Sequence, residues 1–306
     1  MNIFKIKPSF SERPWGGQKL KSLGYDIPTD KKIGEAWIIS AHENGMGFAI
    51  DGQWTGKSIK EIFKSNRNLF GNIKGNFPLL VKILTPEDNL SVQVHPDDEQ
   101  AKKHNDLGKP ESWYILDCPK DSKLIYGHNA KSKEELTQMI HDGSWKDLLV
   151  EVTVNKGDFL YVPPGKIHAV TPDIVVYELQ RSSDITYRVY DYDRKVNGVG
   201  RELHIEDTIL ATTVPDSKID VLKNKTKLIH SNEYFSLYLY EASKETKPFT
   251  LIEKAGWLQI TAIDGKGQIN GIDYEFGDCS IACDLDSTSS LDISGDLKVL
   301  ISWIQL

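Results

Sequence analysis

Gly157–His168 reads GDFLYVPPGKIH, and its spacing sets how the rest of the chain is read. Asp158–Val162 is a short, apolar, strand-forming run. Pro163 and Pro164 close it, because proline has no N–H to donate to a neighbouring strand. Gly165, lacking a Cβ, permits a tight reversal. A new strand then opens at His168, whose imidazole is placed to point inward. Strand, Pro-Pro-Gly turn and inward histidine together suit a β-barrel with a polar interior.

Upstream, Leu90–Pro96 reads LSVQVHP. Gln93 and His95 are two apart and face one side of a strand, while Val92 and Val94 face the other. Between this run and the histidine motif lies Gly108–Tyr114, GKPESWY, which offers the carboxylate of Glu111. Two neutral imidazoles and one carboxylate make a reasonable Zn²⁺ shell, with Gln93 as a weak fourth ligand and water completing it. Taken singly, each element has a plainer reading: a satisfied core histidine, a decorated strand, an ordinary turn. Their joint occurrence in this order points to one divalent ion per chain.

The spacing of the motif fits the second cupin motif, with Gly157, Pro163, Gly165 and His168 in place. Pro172 stands where that motif usually has Asn. In the first cupin motif two histidines occupy the places of Gln93 and His95. Cupins also carry a glutamate soon after that pair. Glu111 lies beyond the usual spacing, and an expected helix over Asp97–Asn105 bulges out to fill the gap.

The rest of the chain agrees with an all-β reading: double-stranded β-helix (cupin or jelly-roll) barrels with a few inserted helices. Short apolar runs closed by Gly, Pro, Asn and Asp recur at Phe77–Leu84, Trp113–Leu116, Ile174–Leu179, Tyr234–Tyr240, Trp257–Ile263 and Leu297–Ile304. Helices are expected at Ser58–Leu69 behind a Ser cap, at Ser132–His141 behind a capping-box pattern with Glu135, and in a short stretch at Glu206–Ala211. The polar stretch Pro215–Lys227 marks a boundary. It divides a catalytic domain, 1–215, from a degenerate, metal-free, cupin-like β domain, 216–306. Gly157–Asp158 and Gly277–Asp278 hint at an internal repeat, but no histidine follows the second pair in the ligand place.

With 306 residues and 39% hydrophobic content, the chain can bury one large or two modest cores. Its net charge of −7, with both signs mixed, gives no nucleic-acid surface. An anionic substrate therefore needs a local basic pocket. No leader core and no run of about 18 apolar residues is present, so a soluble cytoplasmic protein without membrane contact is expected. Cys118, Cys279 and Cys283 form no disulfide framework and are expected as free thiols.

SVQVHP, GKPE, the PPGxxH motif and QRSSDITYRVYDYDR (Gln180–Arg194) together resemble type I mannose-6-phosphate isomerases, in their short bacterial form. ERPWGG (Glu12–Gly17) and GEAWIIS (Gly34–Ser40) resemble the N-terminal motifs of that family. The resemblance spans roughly residues 1–210. It implies a zinc enzyme that interconverts mannose 6-phosphate and fructose 6-phosphate. The family's metal ligands fall on Gln93, His95, Glu111 and His168, its catalytic arginine on Arg188, and its active-site lysines on Lys82 and Lys109.

Such an isomerase opens the sugar ring and moves a proton between C2 and C1 through an enediolate, whose charge needs a Lewis acid or a fixed cation. Arg188 suits enediolate stabilisation or phosphate binding. Lys82 and Lys109 suit phosphate binding, or service as a base if desolvation lowers the pKa. Three rivals stand beside this reading: an Fe²⁺ cupin that activates oxygen, a cupin acting on another sugar phosphate, and a non-catalytic sugar-binding cupin. The expected partner is a small sugar phosphate, and the expected state is a monomer or homodimer.

Overall fold

The computed structural model describes residues 1–218, 220–245, 247–251 and 253–306. Ile219, inside the boundary stretch named above, lies outside the described residues. Three antiparallel sheets dominate. One has five strands in the order Tyr187–Tyr190, Val92–Val94, His168–Ala169, Ser122–His128 and Leu149–Val154. A second has six: Phe159–Val162, Glu111–Asp117, Val175–Arg181, Leu79–Leu84, Ile33–Ile39 and Ser9–Gly17. The third, eight-stranded sheet is built mainly from residues beyond 226.

Alternation along the strands sorts side chains into layers. Val92, Val94, Ala169 and Val189 of the five-stranded sheet pack outward against Leu136 and Ile140, on the helix Lys133–His141. Leu124 and Tyr126 face inward, against Trp113, Ile115 and Val176 of the six-stranded sheet. The opposite face of that six-stranded sheet, with Leu79, Val81 and Leu179, joins Leu237, Trp257 and Ile281 in the largest core. A further apolar cluster, including Leu258, Ile260, Val299 and Trp303, fills the other side of the C-terminal sheet. The site therefore lies between the five- and six-stranded sheets, and the C-terminal sheet backs it from behind.

The first strand, Asn2–Lys7, does not pair with its neighbours in sequence. It pairs with Cys279–Cys283 inside the C-terminal sheet and on its other edge with Phe48–Ala49. The chain thus begins in the sheet where it ends.

Helix expectations hold in place, with Lys133–His141 at its full expected length behind the Ser132 cap and the other helices differing in extent. Ser58 caps Ile59–Ser65 with a full capping box to Glu61. The helix then breaks at Asn66, whose amide donates to the Ile62 carbonyl at 2.8 Å and competes with the helical ladder; a 3-10 turn, Arg67–Phe70, follows. Asp97 caps Asp98–Ala101, and a 3-10 turn, Lys102–His104, ends at Asn105 in the left-handed region with φ 54°. Ser132 accepts from the Glu135 N–H, but the Glu135 carboxylate accepts from Lys131 N–H at 2.6 Å, so that box is only half formed. The short helix near residue 206 is Ile205–Ala211. The run at Leu90 pairs as a strand only over Val92–Val94. All three cysteines are free, and Cys279 and Cys283 are buried.

Candidate metal centre

The turn after Val162 does what its composition asks. Gly165 adopts φ +82°, and a Cβ there would stand 2.3 Å from Thr213 Oγ1 and 3.0 Å from the Ala211 carbonyl. Its N–H donates to the His95 carbonyl at 2.9 Å, tying the two histidine segments together. Register then aligns side chains across the five-stranded sheet. Arg188 lies opposite Gln93, and Gln93 opposite His168. Directly opposed residues of an antiparallel pair share a face, so all three look into the barrel.

Glu111 comes from the facing sheet, opposite Gln180 and Val162. Its carboxylate stands 3.3 Å from His95 Nε2 through Oε2 and 3.3 Å from His168 Nε2 through Oε1. All three side chains are buried. Each imidazole is oriented from behind: His95 Nδ1 lies 2.8 Å from the Ile185 carbonyl and His168 Nδ1 2.8 Å from the Lys166 carbonyl. A carbonyl only accepts, so both Nδ1 atoms carry the proton and both Nε2 atoms present lone pairs inward. Burial, reinforced by Lys109, pushes His95 down to about 3, which keeps it neutral. Burial likewise lowers His168. Burial alone would raise Glu111, but Lys109 and His95 override it and hold the carboxyl well below its usual range.

Two imine nitrogens and two carboxylate oxygens thus converge, and neither oxygen of Glu111 has a hydrogen-bond partner. Buried lone pairs facing one another are costly unless a cation joins them. The donor set fits a divalent metal, and it is the one such group among the described residues. Gln93 is adjacent: its amide nitrogen is 3.4 Å from His168 Nε2. Amide rotation would present its oxygen to the same point.

The lysines differ. Lys109 Nζ lies 3.2 Å from His95 Nε2 and 3.4 Å from Glu111 Oε2, at the edge of the metal group. Lys82 lies two strands from Glu111 along the same six-stranded sheet, 3.1 Å from Glu178 Oε1 and above the Trp37 ring at 4.7 Å. Burial opposes its charge, yet Glu178 and Glu35 outweigh burial and lift Lys82 to about 12. Arg188 borders a cavity of about 330 Å³ that Lys82, Lys109 and Gln93 also line.

Several cavity residues carried no motif-based role. Glu178 accepts from Trp113 Nε1 at 3.1 Å as well as pairing with Lys82. Glu35 accepts from Trp37 Nε1 at 2.7 Å and takes Arg13 in two-point geometry at 2.9 and 3.0 Å. Asp184 and Arg201 complete the wall. Glu178 had a usable signal, a charged residue inside the apolar run IVVYEL, the same signal that drew attention to Lys82 in FPLLVKIL. Glu35 lies inside the quoted GEAWIIS. Arg201 had none.

Known proteins resemble this chain over most of its length. The family model for the phosphomannose isomerase type I catalytic domain matches residues 3–122. The mannose-6-phosphate isomerase ManA of Bacillus subtilis (strain 168) is 43% identical over 289 residues, spanning 89% of this chain and 88% of that protein. The mannose-6-phosphate isomerase of Streptococcus mutans is 40% identical over 311 residues, spanning 97% and 96%. The crystal structure of the mannose 6-phosphate isomerase from Bacillus subtilis superposes with a TM-score of 0.89 at 37% identity, over 99% of this chain and 100% of that one. The chain therefore belongs to the type I phosphomannose isomerase family.

Proposed function

We propose that this chain interconverts mannose 6-phosphate and fructose 6-phosphate, using one Zn²⁺ held by His95, Glu111 and His168 with Gln93 alongside. The observation that carries the reading is the Glu111 carboxylate, buried and unbonded between two inward imine nitrogens beside a cationic cavity. When bound, such an ion supplies Lewis acidity at an oxygen-rich reacting centre without redox chemistry. This fits a reaction that only moves hydrogen between neighbouring carbons.

The protein's own groups do the rest. Lys109, beside the metal ligands, provides a fixed positive charge for the oxyanion that develops at C1 or C2. Lys82, kept charged by Glu178 and Glu35, serves as a hydrogen-bond donor and fixed cation rather than as a proton acceptor. Arg188 faces the same cavity, where its guanidinium suits the phosphate. Residues 1–215 supply every one of these groups, with 216–306 acting as the metal-free support behind them.

The test is chelation followed by restoration, with mannose 6-phosphate as substrate and metal content measured at each stage. Isomerisation is expected to vanish with the metal and return with Zn²⁺. Full turnover in demonstrably metal-free protein would reject the reading. Parallel assays with glucose 6-phosphate, and of oxygen uptake in the presence of Fe²⁺, separate it from another sugar phosphate and from oxygenase chemistry.

A further inference from the structure

The cations lining the cavity divide into those that already have a partner and those that do not. Arg13 is taken by Glu35, Lys82 by Glu178 and Lys109 by Glu111. Arg188 makes no ion pair among the described residues, and its Nε is buried without a hydrogen-bond partner. Arg201 lines the same cavity. It is gripped by Asp191 through Nε at 2.8 Å and Nη2 at 2.5 Å, which leaves Nη1 outside the pair.

Asp191 is itself buried and shared. Arg194 Nη1 also lies 3.6 Å from it, while Arg194 Nη2 lies 3.4 Å from Asp88. Arg194 is tied down in turn, donating to the Asn89 carbonyl at 2.5 Å. Arg201 is therefore not a loose surface side chain but one held from behind, with Nη1 left outside the pair. The Arg188 guanidinium is depressed by burial and next by the like charge of Arg201, with Asp191 acting in the opposite direction.

We propose, resting on the isomerase reading, that Arg188 and Arg201 form a two-guanidinium cradle for the substrate's phosphomonoester, with Asp191 as the group that positions Arg201. Guanidinium groups bind phosphate oxygens at two points each and keep their charge. The spacing is suitable. Arg188 lies two strands from His168, through Gln93, a lateral step of about 10 Å. That places the phosphate at the far end of an extended hexose from the metal group. Lys82 and Lys109 are thereby left to the sugar's oxygens.

The test uses metal-loaded wild type, Arg201→Ala and Arg201→Lys, with inorganic phosphate as the probe. Phosphate affinity is read by calorimetry and as competitive inhibition, and KM and kcat are read with mannose 6-phosphate. In Arg201→Ala, phosphate affinity is expected to fall and KM to rise by about tenfold or more, with kcat changing less. Arg201→Lys should fall between that variant and wild type. Asp191→Asn should weaken phosphate binding less than Arg201→Ala while metal content stays intact. If Arg201→Ala fails to fold, Arg201→Lys decides, and wild-type phosphate affinity in that variant counts against the cradle. Unchanged phosphate affinity and KM in a folded Arg201→Ala overturn the cradle but leave the isomerase reading standing. Phosphate binding that depends on Arg201 in a protein that turns over no mannose 6-phosphate would do the reverse.

Discussion

The chain builds the same turn twice and uses it for different ends. At Asn155–Asp158 the Asp158 N–H donates to the Asn155 carbonyl at 3.1 Å, and its carboxylate accepts from Asn155 N–H at 2.7 Å. At Glu275–Asp278 the corresponding distances are 3.0 and 3.0 Å. Gly157 and Gly277 sit at φ +89° and +90°. Each aspartate takes a lysine, Lys223 at 2.7 Å and Lys5 at 2.9 Å. After the first turn, the strand Phe159–Val162 leads through Pro-Pro-Gly to His168 and a polar interior. After the second, Cys279–Cys283 lies between Asn2–Lys7 and Trp257–Ile269, and Ala282 packs into the cluster around Leu258 and Trp303. Backbone hydrogen bonding makes the scaffold in both halves. A handful of inward side chains decides which half presents a donor set that could hold a metal.

The largest break in that contrast comes from Glu111→Gln. It keeps the shape but removes the charge that answers a cation. Metal content is expected to fall, and turnover to drop by more than about 100-fold, because the loss exceeds what outer groups around a metal cost. Metal analysis beside a kinetic assay checks it, and a variant with full metal and full turnover would remove Glu111 from the site.

A matched pair of turn variants sharpens the comparison. Gly165→Ala and Gly277→Ala both place a Cβ at positive φ, 82° and 90°, at a backbone cost of about 1–2 kcal/mol each in denaturant unfolding, and Gly165→Ala costs more because its Cβ would stand 2.3 Å from Thr213 Oγ1. Only Gly165→Ala should also weaken metal binding, by about tenfold, since its N–H holds the His95 carbonyl and its turn delivers His168. Equal metal affinity in the two variants would mean that the turn shapes the barrel without aligning the ligands.

The smallest effect is one of pH. His95 is pushed down to about 3 and His168 is lowered too, each by burial first. Between those folded values and the ordinary histidine range the unfolded chain binds more protons, so stability falls as pH falls. Metal-free protein should therefore lose unfolding midpoint as pH drops from about 6.5 toward 4, and His168→Gln should flatten that slope. An unchanged slope would place the acid sensitivity elsewhere, for instance at His230, which burial lowers to about 4 behind the Tyr161 ring.

Much of the site was legible locally. The PPGxxH turn, the alternation in SVQVHP and the lysine inside FPLLVKIL each break a simple pattern within a few residues, and a period of two suffices to say which side chains share a face. The expectation that no second metal group follows Gly277–Asp278 came from the missing histidine; Gln259, Thr261 and Ser302 are buried in that sheet beside the apolar cluster. Arg201 was silent because it sits in a polar, turn-rich stretch where an arginine is unremarkable. Only the buried Asp191 behind it makes it a cavity residue. Asn66 ended a helix early through its own side chain, which periodicity does not register.

By itself the sequence determined the β-rich scaffold, the turn chemistry and the residue types able to hold a divalent ion, because these follow from backbone geometry and short-range alternation. Only the tertiary structure decided that Glu111 meets His95 and His168, that Glu35 and Glu178 hold Lys82 charged, and that the first strand joins the last sheet. Those are pairings between distant segments. Strand register and burial create them, and no local period carries that information.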